Sequence, residues 1–411
     1  MDFRAAKPWP WLIFLGGQLN RLLLRRDTEL DVRPDDLAVL RNLPPGCLIA
    51  PNHAHYADPQ VTFELARRAG RRVIFMSTRE AFDVAAGCWG WFLQRFGVFS
   101  VNRGGVNVEA RKFAQSVLVN GAYDLAMFPE GEIYLLNDLV MPLKPGAARL
   151  ALEAASELER QGRPRPVFIV PVAIKYRFLG DIRPVLEATT ARLESRVLGG
   201  PRTGPLYPRI VGLGETLLSR AEERYGLKPD PGLDLYERVH RLRRTLLEQL
   251  ERRHLGRVQK GFEFDRARKL MIRIQARMLE TYKSEGHYGP LEAPPHDPLA
   301  ADLEAANLCA RSVAFREDYL VENPTPERMA ETLTKLEREI LGKQIRSPLG
   351  KRRAIIRLAP PLDVVAHLPR HAAESPVDDI VEALVVRLHD TLQATLDAIG
   401  CEEKSAEGRR G

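Results

Sequence analysis

The chain has 411 residues, of which 45% are hydrophobic and 28% charged, and a formal net charge of +7. This composition excludes a disordered chain and leaves room for one large domain with an insert, or for two domains. Four scattered cysteines (Cys47, Cys88, Cys309, Cys401) without a C-x-x-C pair suggest neither a zinc knuckle nor a disulfide framework, and no window holds the roughly 20 apolar residues of a spanning helix.

Residues 1–35 come first. KPWPWLIFLGGQLNRLLLRR sets Trp9, Trp11 and Phe14 beside Arg21, Arg25 and Arg26 and is interrupted by Pro10, Gly16 and Gly17. It reads as an amphipathic segment lying in a membrane interface; the plainer reading is a helix packed on the domain. The expected placement is peripheral, on the cytoplasmic side of a membrane, with anionic lipid as the partner surface. Residues 36–200 then alternate short apolar runs with helical stretches. The strand candidates are 47–50, 72–76, 97–101, 124–128 and 166–174; the helical ones are 59–70, 80–95, 106–120 and 146–161. The alternation predicts an α/β fold, a mostly parallel mixed sheet flanked by helices, with the site in loops at the carboxyl ends of strands.

Pro and Gly cluster at 198–209, which reads as a linker. Long charged helices follow at about 234–256, 263–284, 300–318 and 326–343, within a large helical insert at 205–348. Leu235, Val239, Leu242, Leu246 and Leu250 form one apolar face, as do Met271, Ile274 and Met278, so these two helices are expected to pack as a hairpin. GHYGPLEAPPHDP (286–298) reads as a loop. Between Arg238 and Arg277 thirteen Lys/Arg face four Asp/Glu. That surplus is either a solvated face or a docking surface for anionic lipid or an acidic carrier protein. Residues 349–400 return to the core, with a strand in RRAIIRLAPPLDV (352–364) and a helix over 376–399, before a flexible tail at 401–411.

The stretch PNHAHYADP (51–59) poses the chemical question. H-x-H with a nearby aspartate suits a metal, but no histidine occurs from Tyr56 to Val239, and a catalytic zinc needs three protein ligands; no metal is expected. Asp58 followed by Pro59 also suits a helix N-terminus, with Asp58 as its cap. The third reading is acid–base: Asp58 holds one ring nitrogen of His53 and leaves the other to take a proton. No serine or cysteine adjoins the pair, so the nucleophile is then the substrate's own hydroxyl or amine. The positive charge comes with no nucleic-acid motif, and no nucleic-acid partner is expected.

N-H-x-x-x-x-D resembles the first motif of the glycerolipid acyltransferases, the family that acylates lysophosphatidate or glycerol 3-phosphate. MSTREAF (76–82), FGVFSVNRGG (96–105), FPEG (128–131), PLKPGAARLALEAA (142–155) and IVPVAIKY (169–176) are similar to that family's later stretches, in its order. The resemblance covers roughly residues 40–180 and resumes at 352–400. It implies an O-acyltransferase of phospholipid biosynthesis or remodelling that needs no cofactor and takes acyl-CoA or acyl carrier protein as co-substrate. His53 is then the general base and Asp58 its orienter; Arg103, Glu130, Gly131 and Lys144 bind the acceptor; Asn52 and Arg79 support. Backbone N–H groups near the opening turn and at Gly131 are candidate oxyanion donors. GCWGWFLQRFGVF (87–99) is either core packing or an apolar surface or groove for the acyl chain at the membrane. The third motif departs from the family: in FPEGEIY, Glu132 and Ile133 stand where Thr or Ser and Arg are usual. That weakens a phosphate-bearing acceptor. The alternatives are a non-glycerolipid acceptor (amine, sugar or other alcohol) and an inactive membrane-associated scaffold.

Overall fold

The computed structural model describes residues 3–102, 107–284, 297–321, 323–342, 349–367 and 376–407. The chain forms two compact units, one built up to Asp181 and again from Gly350, the other spanning Ile182–Leu349.

The first unit begins with α1 (Pro10–Asp27), β1 (Thr28–Val32), α2 (Pro34–Asn42), β2 (Leu48–Pro51), α3 (Asp58–Arg68), β3 (Val73–Thr78), α4 (Cys88–Arg95) and β4 (Val98–Val101). It continues with α5 (Val108–Asn120), β5 (Asp124–Ala126), α6 (Gly146–Arg160) and β6 (Phe168–Phe178). The second unit holds α7 (Arg183–Leu198), α8 (Leu206–Arg224), α9 (Leu235–Leu255), α10 (Glu263–Ser284), α11 (Pro298–Ser312), α12 (Glu317–Val321) and α13 (Pro326–Leu341). The chain then returns to the first unit with β7 (Arg352–Leu358), β8 (Leu362–Asp363) and α14 (Val377–Glu407).

The described strands form one sheet in the order β1-β7-β6-β2-β5-β3-β4, with β8 also on β6. From β6 to β4 every neighbouring pair is parallel; β7 and β8 run antiparallel to β6, and β1 parallel to β7. The sheet is therefore mixed and mostly parallel. Its central strands are apolar on both faces because both are covered. Leu48, Leu125 and Ile169 meet α5, α6 and α14 on one face. Ile49, Val170 and Val172 meet α2 and α3 on the other.

Several local expectations are corrected. The segment 1–35 is more than a surface helix: β1 (TELDV) pairs with β7, and Leu30 and Val32 pack on the core while its acids face outward. An edge strand that short and acidic carries little strand signal. The stretch 80–95 is two short 3₁₀ turns and then α4, broken where Gly87 takes φ 86°. Of the aromatics from 82 to 99, Phe82 and Phe99 are buried, whereas Trp89, Trp91 and Phe92 are exposed, so core packing does not account for those three.

The helical unit begins at Ile182, so residues 182–200 belong with it rather than with the sheet. The expected linker shrinks to residues 199–205 between α7 and α8. Pro184, Pro205 and Pro208 sit at or before the first turns of those helices, where no N–H donor is required. The 300–318 helix breaks after Ser312. In α9 and α10, Leu242, Leu246, Leu250, Ile274 and Met278 are buried, and the two helices pack together.

Candidate active site

β2 lies inside the sheet, flanked by β6 and β5, and ends at Pro51. Its carboxyl end is where open α/β sheets present a ligand site. Beyond it Asn52 continues the ladder with its side chain. The Asn52 amide oxygen accepts from Ile174 N–H (2.7 Å) and its Nδ2 donates to the Ile174 carbonyl (3.1 Å). Asn137 does the same for Tyr176, at 2.7 and 2.9 Å. These two amides stand in for a strand that is absent on that side of β6, and they fix the turn that follows.

That turn carries His53. Its Nδ1 lies 2.9 Å from Asp58 Oδ2, and its ring stacks on Phe128 with centroids 4.1 Å apart. The imidazole is 12% exposed, and its Nε2 makes no hydrogen bond among the described residues. Asp58 is fully buried and has three donors. Oδ2 takes the His53 ring and the His55 backbone N–H (2.7 Å); Oδ1 takes the Tyr176 hydroxyl (2.6 Å). A carboxylate so placed can only accept, so it keeps the proton on Nδ1 and presents Nε2 as a base. Burial, reinforced by Asp58, pushes the Tyr176 hydroxyl well above the usual tyrosine range, so it remains a donor. Asp58 is not the helix cap. It stands inside α3, whose N-cap is Ala57, and no side chain caps that end.

The second histidine has another task. Arg352 donates to His55 Nε2 at 2.6 Å and lies over the Tyr176 ring, tying β7 to the turn. Among the described residues no group of three or more His, Cys, Asp or Glu is placed to hold a metal ion.

Glu130 follows β5 and is buried beneath the turn rather than facing an acceptor. Its Oε1 accepts from the His53 backbone N–H (2.6 Å) and its Oε2 from Met141 N–H (3.2 Å). Burial pushes this carboxyl up to about 8, against the pull of those two N–H donors. Gly131 takes φ 70°, which favours glycine, and donates its N–H to Phe128 O (3.1 Å). That amide is thereby spent, as are those of His53 and His55, so none of the three is a free oxyanion donor. Lys144 packs its side chain over Gly131, and its backbone N–H donates to Pro129 O (2.7 Å). Arg79 is buried just past the carboxyl end of β3 and donates to Asp83 (2.6 Å). Arg103 lies outside the described residues. Glu132 and Ile133 are half-buried at the turn after Gly131.

Sequence reasoning missed Tyr176, Asn137 and Arg352. Tyr176 closes the quoted IVPVAIKY stretch, and a polar ring tip ending an apolar strand was its one available signal. Asn137 and Arg352 are remote in sequence and become legible only through β6 and β7.

The fold and this pair define the class: residues 37–175 are an acyltransferase domain of the glycerolipid acyltransferase type with the H-x-x-x-x-D motif. The family model those residues match is described as Acyltransferase. No curated protein matches the chain.

Proposed function

We propose that this protein moves a fatty acyl group from a thioester, acyl-CoA or acyl carrier protein, to the hydroxyl of a lysophospholipid or glycerol 3-phosphate at a membrane surface. One observation carries the reading. His53 is oriented by a buried Asp58 and offers an uncommitted Nε2, with no protein nucleophile in the turn. In the reaction, Nε2 takes the acceptor's hydroxyl proton as its oxygen attacks the thioester carbonyl. The carbon–sulfur bond then breaks, and the proton on Nε2 passes to the departing sulfur, giving ester and free thiol.

The membrane setting rests on one exposed face. Among the described residues every exposed Trp and Phe lies on α1, at its N-cap or on α4: Trp9, Trp11, Phe14, Trp89, Trp91 and Phe92. Trp9 and Trp91 meet edge to face at 5.4 Å, and the Arg95 guanidinium covers both rings. Aromatics with arginines at their margin suit a headgroup boundary. No described helix is long and apolar enough to cross a membrane.

Glu132 favours a second reading. A half-buried carboxylate just beyond Gly131 disfavours a phosphate-bearing acceptor and suits an amine, a sugar or another alcohol. The test is thiol release in lipid vesicles from long-chain acyl-CoA and acyl carrier protein. The acceptor panel is lysophosphatidate, glycerol 3-phosphate, other lysophospholipids and amines, with His53→Ala alongside. Release that needs one acceptor and His53 supports the proposal and names the acceptor. Release with no acceptor dependence, or unchanged in His53→Ala, overturns it.

A further inference from the structure

The last helix, α14, lies outside residues 37–175, yet hydrogen bonds connect it to the His53 turn. The link is the loop that follows Gly131, between β5 and α6. Its stretch 137–141 is a strap tied down from two sides. On one side it is fixed to β6: Asn137 pairs with the Tyr176 backbone, and the Asp138 carboxylate meets Lys175 Nζ at 2.8 Å. On the other, α14 holds its backbone. Gln393 Oε1 accepts from Val140 N–H (2.9 Å), and Gln393 Nε2 donates to the Asp138 carbonyl (3.1 Å). His389, four residues earlier and so on the same helix face, donates from Nε2 to the Val140 carbonyl (3.2 Å). The next residue, Met141, donates its N–H to Glu130 Oε2, and Glu130 Oε1 accepts from His53 N–H. Helix, strap, carboxylate and base therefore form one continuous chain of hydrogen bonds, all within one compact unit.

Two features make this chain a device for aiming the base. First, Glu130 is buried, and those two N–H groups are its hydrogen-bond donors among the described residues. One oxygen serves the strap and the other the turn, so the position of the strap sets where the carboxylate holds His53. Second, Asp58 fixes the ring of His53 through Nδ1, whereas Glu130 fixes its backbone N–H. Both are needed to hold Nε2 in one direction. We infer that Gln393 and Glu130 are positioning residues for His53, acting through the 137–141 strap. That His53 is the base being aimed rests on the acyl-transfer reading; the chain of hydrogen bonds does not.

Two substitutions cut the chain at different links. Gln393→Leu frees the strap from α14. In Glu130→Gln the amide oxygen keeps the His53 N–H, but the amide nitrogen cannot accept from Met141, so the strap is uncoupled from the turn. Steady-state thiol release should show kcat lowered by about 10–100-fold in each, with KM for the acceptor nearly unchanged. The double variant should lose no more than Glu130→Gln alone, because the strap then no longer reaches His53. Circular dichroism checks that each folds, and Gln393→Met takes the place of Gln393→Leu if that variant does not. Losses that multiply, an unchanged kcat in Gln393→Leu, or a raised KM with kcat kept in Glu130→Gln overturn the assignment. A second readout does not need the reaction. NMR of protein labelled at its histidine ring nitrogens, with His53→Ala to assign the signal, should show the His53 resonance moved in both single variants. A resonance unmoved in Gln393→Leu overturns the path. If it moves as expected while His53→Ala leaves thiol release intact, the acyl-transfer reading fails and the positioning path stands.

Discussion

The helical unit buries its carboxylates in one way, and the α/β unit adds a second. In the helical unit a buried carboxylate meets guanidinium. Glu251 accepts two hydrogen bonds from Arg266, both 2.9 Å, and one from Gln259 N–H; Glu194 accepts two from Arg209 and one from Arg202 N–H. In the α/β unit, no Arg or Lys meets Asp58 or Glu130 among the described residues; their donors are the His53 ring, backbone N–H groups and one hydroxyl. The same unit uses a guanidinium where chemistry is not involved, as in Asp124 with Arg71. A charge neutralised by arginine is locked, whereas one held by neutral donors keeps its basicity for a neighbour. The titrations follow. Arg209 holds the Glu194 carboxyl below its usual range, while burial pushes Glu130 up to about 8.

The largest effect expected tests the poised pair. His53→Ala and Asp58→Asn each lower thiol release by about 10²–10⁴-fold, the usual contribution of a positioned base. Circular dichroism should show the fold kept. Residual activity near wild type in Asp58→Asn would remove the distinction between locked and poised carboxylates.

The locked class is tested by stability. Glu251→Ala strands the half-buried Arg266 beside an emptied buried site and should cost about 3 kcal/mol in urea unfolding of the helical unit. Replacing both partners by methionine should restore most of that. If the single and double changes cost the same, the pair's charge is not what matters there.

The pH dependence sharpens the contrast because the two signs oppose. Glu130 titrates higher folded than unfolded, so its stabilising contribution is complete below about 4.5 and is lost as pH rises to about 8, then levels. Glu194 titrates lower folded, so its contribution is present above the unfolded carboxylate range and is lost as pH falls through it. Glu130→Gln should therefore remove a slope on the order of a few kcal/mol between pH 4.5 and 8. Glu194→Gln should leave that window alone and flatten the acid limb. Urea midpoints across pH measure both.

How much of this was legible in sequence follows from how local each signal is. β2, β3, β4, β5 and β6 are apolar runs bounded by turns, so pattern alone located them. His53 and Asp58 are five residues apart in one turn, and their pairing needed only that spacing. β1 was invisible because its place depends on β7, more than 300 residues on. α7 and α8 were hidden by prolines that look like breakers but occupy first turns. Glu130 was read as acceptor-facing because a motif gives residue types and not directions; only the fold shows it turned under the His53 backbone.

The smallest effect expected is at Tyr176, the donor that sequence did not single out. Tyr176→Phe keeps the ring that Arg352 and His55 pack against and removes only the 2.6 Å hydrogen bond to Asp58. With that donor gone, Asp58 is held less firmly against His53 Nδ1 and the ring is less well aimed, so kcat falls by about 10-fold, in line with one hydrogen bond to a charged group. KM for the acceptor should hardly change. A purely structural Tyr176 would lower the unfolding midpoint and leave kcat in place. A lowered kcat with an unchanged KM and an unchanged midpoint would show that the neutral donors around Asp58 set the position of the base.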